Sequence, residues 1–361
     1  MKKIVLSGGG TGGHIYPAIA IKEILSSGMN EPAEFLYIGQ SDGMESKIVP
    51  REQGISFIGT CAQGMPRELS MKWFSFPFKN LRGFFDAFKH LLLFSPDLAI
   101  TTGGFVAFPV LLASKLLKIP YAIHEQNAAM GVTNKFFADG AKRILLTYPD
   151  SYPADEKRVV VTGNPVRKAF SSEFNGKKFM EKNPGEMVLL FVGGSRGAAS
   201  INRACVELSR DWLLKNPKMK IIHITGERDF QEISSKISEK NSYIVLPYLH
   251  EMREAFEVAD LIISRAGATI LAEIACIGKP AILIPFPFAT DNHQEKNARI
   301  LEKSGGAKVI LDYDLSGETL RQSIESCLAG ECLKTMGEKM KDSRPKNVET
   351  RIFEAIKPIL G

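Results

Sequence analysis

Twice along this chain a β-branched apolar run ends in clustered glycines and passes straight into a helical pattern: Val5-Leu6-Ser7-Gly8-Gly9-Gly10, and again Leu190-Phe191-Val192-Gly193-Gly194-Ser195. A strand that turns into a helix over glycines opens a βαβ unit, because a parallel neighbour can be reached only by a crossover. Two such openings predict an α/β chain of two Rossmann-like, doubly wound parallel sheets. The length of 361 residues agrees, since single cores stop growing at roughly 250–300. Strands are predicted at Lys3–Ser7, Phe35–Gly39, Ile55–Gly59, Leu98–Thr102, Tyr121–His124 and Arg143–Thr147 in the first half. In the second they fall at Met187–Val192, Lys220–Thr225, Tyr243–Leu246, Leu261–Ser264, Ala281–Ile284 and Ala307–Ile310. The turn-forming Gly163-Asn164-Pro165-Val166-Arg167 marks the joint, giving domains 1–163 and 164–361, with the last helix free to pack back on the first. Ligands of such sheets bind beyond the carboxyl ends of the strands. Both glycine loops belong there, so two facing domains would enclose a cleft.

Composition removes several function classes. A net charge of +6 without a long basic run argues weakly for nucleic acid and fits anionic lipid or phosphate at least as well. Five scattered cysteines (Cys61, Cys205, Cys276, Cys327 and Cys332) without a Cys-x-x-Cys disfavour a disulfide framework and a zinc site, and suit a reducing cytosol. The apolar run Ile4–Leu6 is too short for a signal peptide, and Gly104–Leu117, broken by Pro109 and Lys115, is too short to span a membrane. The expectation is a soluble or peripheral protein.

The first loop reads Gly8-Gly9-Gly10-Thr11-Gly12-Gly13-His14. It satisfies the dinucleotide spacing, but the second strand ends Ile38-Gly39-Gln40-Ser41 without the acid that would hold a ribose. It also resembles a Walker loop, but His14 stands where the lysine would be. What remains is a loop allowing close backbone approach, with an imidazole at a helix start that could take a proton from a hydroxyl. A helix-start histidine bonded to backbone is the plain alternative.

In the second half, Gly193-Gly194-Ser195-Arg196-Gly197-Ala198 precedes a helix from about Ala199, a ready anion site. Ser264-Arg265-Ala266-Gly267-Ala268-Thr269 opens a helix running to about Ile277. Thr269 and Glu273 share a face of it. A carboxylate there can accept both hydroxyls of a ribose, or merely complement the helix dipole. The stretch Pro285–Ala298 gathers Asp291, Asn292, His293, Gln294 and Asn297, a set of directional partners suited to a sugar, whereas a helix cap at Asp291 accounts for only one of them. His124-Glu125-Gln126-Asn127 begins like a zinc motif, but Ala128 stands where the second histidine would be. His223, inside a strand, reads as a core residue. Residues 71–95 alternate aromatics with Lys72, Lys79, Arg82 and Lys89. A helix after Pro77 would set Leu81, Phe84, Phe85, Phe88, Leu91 and Leu92 on one face, suited to an anionic lipid surface or to ordinary sheet packing.

In order along nearly the whole chain, these strings resemble the MurG family, the peptidoglycan N-acetylglucosaminyltransferases of glycosyltransferase family 28. The resemblance rests on the glycine loop with His14, Thr102-Gly103-Gly104-Phe105, His124-Glu125-Gln126-Asn127 and Gly163-Asn164-Pro165-Val166-Arg167. It continues through Gly193-Gly194-Ser195, Arg265-Ala266-Gly267-Ala268, Glu273 and Asp291-Asn292-His293-Gln294. It implies a GT-B fold and an inverting, metal-independent transfer of N-acetylglucosamine from UDP-N-acetylglucosamine to the 4-hydroxyl of the muramyl sugar of undecaprenyl-pyrophosphoryl-muramyl-pentapeptide. No cofactor is implied, and the location is peripheral, on the cytoplasmic face of the inner membrane. By the same resemblance, Thr11, Gly12, Gly13, Asn127, Arg167, Ser195, Leu249, Ala268, Thr269, Ile270, Leu271, Ala272, Glu273 and Gln294 line the donor or the reacting sugars. Glu273 would hold the ribose, Gln294 and Asn127 the N-acetylglucosamine, and Ser195 the pyrophosphate. Where members often carry Thr this chain has Ile270, with Thr one place earlier, so a contact there would use the backbone amide. His14 is the expected base, with Glu125 the second candidate. Competing readings are a UDP-N-acetylglucosamine 2-epimerase, a diacylglycerol glycosyltransferase and a non-catalytic nucleotide-sugar module.

Overall fold

Runs such as Ile4–Leu6 and Met187–Val192 are apolar at every position, a pattern suited to strands covered on both faces. The computed structural model describes residues 1–361 apart from 65–71, 154–156, 195, 196 and 238–241 and the side chains of Lys72 and Trp73. In the first sheet the strands are β1 (Lys2–Ser7), β2 (Ala33–Gln40), β3 (Ser56–Thr60), β4 (Leu98–Thr101), β5 (Tyr121–Glu125), β6 (Arg143–Leu146) and β7 (Val159–Val161). They are all parallel, in the order β3-β2-β1-β4-β5-β6-β7. A second sheet holds β8 (Met187–Val192), β9 (Met219–Ile224), β10 (Tyr243–Leu246), β11 (Leu261–Ser264), β12 (Ala281–Leu283) and β13 (Ala307–Val309). Its order is β10-β9-β8-β11-β12-β13, again all parallel.

Each sheet belongs to its own compact unit: Met1–Lys168 with Pro345–Gly361, and Ala169–Arg344. The joint inferred from sequence lies five residues earlier, and the sequence division assigned 345–361 to the second domain. In the first unit, the helix Val348–Leu360 packs on the helix Gly12–Gly28, with the Phe353 ring against Gly28. Strand alternation sorts the core. Ile4 and Leu6 join Ile15, Ile19, Ile352 and Ile356 on one face of the first sheet. Val5 joins Ala87, Leu91, Ala107, Val110 and Leu111 on the other. In the second unit, Leu189, Phe191, Ile201, Trp212, Ile263 and Ile324 share one core.

The twelve strands read from the sequence are all present within a residue or two at each end. The reading missed β7, a run of three valines on the sheet edge, too short to signal itself. The helix expected after Pro77 instead spans Lys72–Phe94 and includes it. Pro77 lies in the second turn, where its missing N–H removes one bond near the helix start without ending the helix.

Candidate functional site

Strand order reverses in the first unit between β1 and β4, whose ends pair at Ser7 and Thr101. The glycine loop after β1 and the turn Thr102-Gly103-Gly104 after β4 therefore meet at the carboxyl edge of the sheet, where α/β folds bind ligands. His14 is the third residue of the helix Gly12–Gly28. Its Nδ1 lies 2.8 Å from the Thr102 carbonyl oxygen and 3.1 Å from Oε1 of Gln126. Both neighbours only accept, so Nδ1 carries the hydrogen and Nε2 presents a lone pair. Thr102 also donates its hydroxyl to the His14 carbonyl, at 2.7 Å, fixing the backbone beneath the ring. The ring lies against glycines: a Cβ on Gly103 would come 3.4 Å from its Cε1, and one on Gly104 3.3 Å from its Cδ2. Both glycines hold positive φ, +93° and +82°, so the turn itself requires them.

The orientation of Gln126 is fixed from its other side. Its Nε2 donates to the His124 carbonyl at 2.9 Å and faces His124 Nδ1 at 3.0 Å. His124 Nε2 in turn donates to the Gly163 carbonyl at 3.2 Å. His124 is wholly buried, and burial pushes its pKa down to about 4 despite the bond to Gly163. At neutral pH it is an uncharged imidazole whose Nδ1 accepts.

Glu125 occupies a different position from the one its candidacy as a base requires. It is 1 % exposed. Oε1 accepts from the backbone and side-chain amides of Asn127, both at 3.1 Å. Oε2 accepts from the Gly131 amide at 2.9 Å and from Asn134 Nδ2 at 2.8 Å. A carboxylate so enclosed holds the 126–134 segment in shape. Asn127, expected at the sugar, has its side-chain amide committed to this anchor.

Two groups beneath the first glycine loop escaped the sequence reading. Glu45 is fully buried and accepts from the Gln40 amide at 3.0 Å and the Gly10 amide at 3.4 Å. Tyr37 donates its hydroxyl to the Gly8 carbonyl. Burial, with Glu45 adding to it, raises the Tyr37 pKa well above the usual phenol value, so it remains a donor. The acid absent from the end of β2 is thus present five residues later, but it faces backbone. A glutamate five residues after the β2 end was the available signal. Of the remaining loop residues, Thr11 caps the helix with extended backbone and no side-chain cap bond, Gly12 is buried and Gly13 half-buried. Arg167 lies in this unit too, its guanidinium 4.2 Å from the centre of the Tyr16 ring.

The second unit repeats the arrangement, with reversal between β8 and β11 and Val192 paired to Ser264. Gly194 and Gly197 hold φ of +82° and +74°, and a Cβ on Gly193 would strike the Ala198 amide, so the three glycines serve the turn. Ser195 lies outside the described residues. Gly267, which caps the helix Ala268–Ile277, differs: its φ is −70° and nothing lies within 4 Å of where a side chain would start. Backbone conformation does not demand glycine there; open approach to the helix-start amides is what it provides. Behind the turn Ala268 and Leu271 are buried, as are Thr269 and Glu273, at 7 % and 5 % exposure; Ile270 and Ala272 are half-buried. Dipole complementation would not require burying Glu273, since a charge taken out of water needs specific partners. Leu249 is half-buried between β10 and the helix Met252–Val258.

Arg265 ties this edge together, donating to the Ile284 and Pro285 carbonyls, to Asp312, and to Ser200 at the start of the helix Ala199–Lys215. Gln294 accepts from the Phe286 amide at 3.0 Å, which fixes its own amide. The sugar-partner set is only partly available. Asn297 is fully buried and bonds the Ala266 carbonyl, His293 bonds Thr290 within its own turn, and Asn292 bonds Glu295. The cap of the helix His293–Ser304 is Asn292 in left-handed conformation, not Asp291. His223, read as a core residue, is buried between Asn202 and Tyr243, with its pKa lowered to about 3 by burial.

On the helix Lys72–Phe94 the expected single apolar face is two. Gly83, Ala87 and Leu91 are buried, four residues apart, with Phe84 and Phe88 half-buried beside them. Phe74, Phe78, Leu81, Phe85 and Leu92 point outward at 55–76 % exposure, with Lys79, Arg82 and Lys89 exposed among them. Exposed Phe108, Leu116, Val132 and Phe136 on the neighbouring helices Ala107–Leu116 and Val132–Phe137 extend the apolar surface. Among the described residues no helix is long and apolar enough to cross a membrane.

Comparison with known proteins gives the same pattern across the whole chain. The glycosyltransferase family 28 N-terminal domain matches residues 4–146, and the C-terminal domain of that family matches 188–352. The UDP-N-acetylglucosamine–N-acetylmuramyl-(pentapeptide) pyrophosphoryl-undecaprenol N-acetylglucosamine transferase of Halothermothrix orenii is 45 % identical over 94 % of each chain. The enzyme of that name from Caldanaerobacter subterraneus is 39 % identical over 99 % of this chain and 100 % of its own. The crystal structure of Acinetobacter baumannii MurG superposes with a TM-score of 0.74, at 29 % identity, covering 99 % of this chain and 100 % of that one.

Proposed function

The chain belongs to glycosyltransferase family 28, and from that premise we propose how its residues move N-acetylglucosamine from UDP-N-acetylglucosamine to a lipid-linked muramyl-pentapeptide. It is an N-acetylglucosaminyltransferase of peptidoglycan synthesis, with the two-sheet GT-B fold. Its acceptor chemistry is assigned to the first unit and its donor chemistry to the second. His14 Nε2 takes the proton of the muramyl 4-hydroxyl, whose oxygen attacks the anomeric carbon as the bond to the β-phosphate oxygen of UDP breaks. Configuration inverts, and the proton ends on His14. Charge developing on UDP is met by backbone amides at the starts of the helices Ala199–Lys215 and Ala268–Ile277, and by Ser195. Glu273 receives the ribose and Gln294 the N-acetylglucosamine, while Asn127 serves the Glu125 anchor. Arg167 assists at the diphosphate, while Leu249 and residues 268–272 line the nucleotide.

The observation that carries the acceptor half is the bonding of His14. Two oxygens converge on Nδ1, which leaves Nε2 as a proton acceptor at the ligand-binding edge of the sheet. Glu125 is assigned the supporting role that its four donors describe. The exposed aromatic and basic helix face is assigned to an anionic membrane surface, at the cytoplasmic side, where the lipid-linked acceptor resides. Release of UDP, measured with and without a short-chain lipid-linked muramyl-pentapeptide, tests the transfer. UDP should appear only with acceptor. Conversion of UDP-N-acetylglucosamine alone would instead identify an epimerase, and undiminished turnover by His14→Ala would remove His14 as base.

A further inference from the structure

We propose that Gln126 is a positioning residue: it holds His14 in the tautomer and ring orientation that leave Nε2 bare, as the last link of a polar chain running from the Gly163 carbonyl through His124. The inference rests on the reading of His14 as base and extends it to a residue that touches no substrate. A histidine can serve as acceptor from either nitrogen, and only its neighbours decide which. Here the decision passes along four groups, each with one consistent hydrogen placement. The Gly163 carbonyl accepts, so His124 Nε2 carries its hydrogen, at 3.2 Å. His124 is buried and neutral, so its Nδ1 accepts from the Gln126 amide nitrogen at 3.0 Å. The same nitrogen donates to the His124 carbonyl at 2.9 Å, so the Gln126 amide cannot turn over without setting its oxygen against two acceptors. Its Oε1 must therefore face His14 Nδ1, at 3.1 Å. The Thr102 carbonyl supplies the second acceptor, but a single carbonyl leaves the ring free to tilt about that bond. Two acceptors from different strand ends, with Gly103 and Gly104 under the ring, leave one orientation. Gln126 is fully buried, which excludes water from competing for either end of its amide.

The test is nitrogen-15 NMR of the full chain labelled in histidine, at roughly pH 9 where imidazoles are neutral, with the His14 signals identified by their loss in His14→Ala. Wild type should show hydrogen on Nδ1. Gln126→Met, similar in size and without either polar end, should populate the second tautomer. Its kcat should fall roughly tenfold, the value of about one hydrogen bond, while KM for both substrates stays within about twofold. Hydrogen on Nε2 in wild type overturns the proposal, whether or not the variant folds. So does Gln126→Met with an unchanged tautomer or an unchanged kcat, because Thr102 would then suffice. If the tautomers behave as stated but His14→Ala retains full turnover, the base assignment fails while the positioning of the ring stands.

Discussion

Replacing Glu125 by glutamine separates an anchoring carboxylate from a reacting one. The amide has nearly the same shape, but one oxygen becomes an NH2 group. Each carboxylate oxygen receives two N–H donors, from Asn127 on one side and from Gly131 and Asn134 on the other. Whichever way the amide settles, two donors face a donor. Each lost bond to a charged acceptor is worth about 1.5–3 kcal/mol. Burying a neutral amide costs less than burying a carboxylate, which offsets part of the loss. The net destabilisation is then on the order of 2–4 kcal/mol. For a unit of roughly 150–250 residues each kcal/mol moves Tm by about 2–4 °C, so the first unit should melt roughly 4–16 °C lower. Scanning calorimetry reads this directly, with turnover measured well below the transition. A Tm within about a degree of wild type, together with abolished turnover, would refute the argument and return Glu125 to the reacting groups.

Gly104→Ala should remove most turnover while the second unit melts unchanged, because its φ is +82° and its new Cβ would overlap the Gly9 carbonyl and press on the His14 ring; unaltered kinetics would show that the ring tolerates displacement. Acid should destabilise both units. His124 and His223 titrate near 4 and 3 when folded, against 6.5 unfolded, so protons bind the unfolded chain first as pH falls. Stability is complete above about 6.5 and lost progressively down to about 4 at His124 and 3 at His223, by roughly 3 kcal/mol or more for each; urea midpoints that stay constant across that window would contradict the buried, neutral assignment. Phe78→Ser with Phe85→Ser should cut binding to anionic vesicles by at least roughly tenfold, as two exposed rings of about 1.5–3 kcal/mol each lose their apolar contact. Turnover on a short-chain soluble acceptor should be preserved, and undiminished co-sedimentation would exclude this face.

Much of the fold was legible because its signals are local. A strand passing through glycines into a helix states its own topology, and twelve of the thirteen strands announce themselves as apolar runs. His14 and Gly267 were legible for the same reason, each lying at a strand-to-helix turn. The 72–94 helix was legible only as amphipathic, since periodicity gives the width of an apolar stripe without saying which part a neighbouring sheet covers. Burial of Gly83, Ala87 and Leu91 left Phe78 and Phe85 outside, and that partition depends on where the sheet lies.

What the order of residues determined by itself was the pair of doubly wound sheets and the edges at which ligands gather, because backbone geometry ties both to short stretches of chain. Tertiary structure alone decided what the polar groups at those edges do. Glu125 and His14 both read as candidate bases, yet four converging donors enclose one, while two acceptors hold the other by Nδ1 and leave the lone pair on Nε2. Hydrogen-bond partners 35 to 112 residues away, such as Glu45 for Gly10 and Gln126 for His14, are set by how strands stack side by side, and no spacing along the chain encodes them.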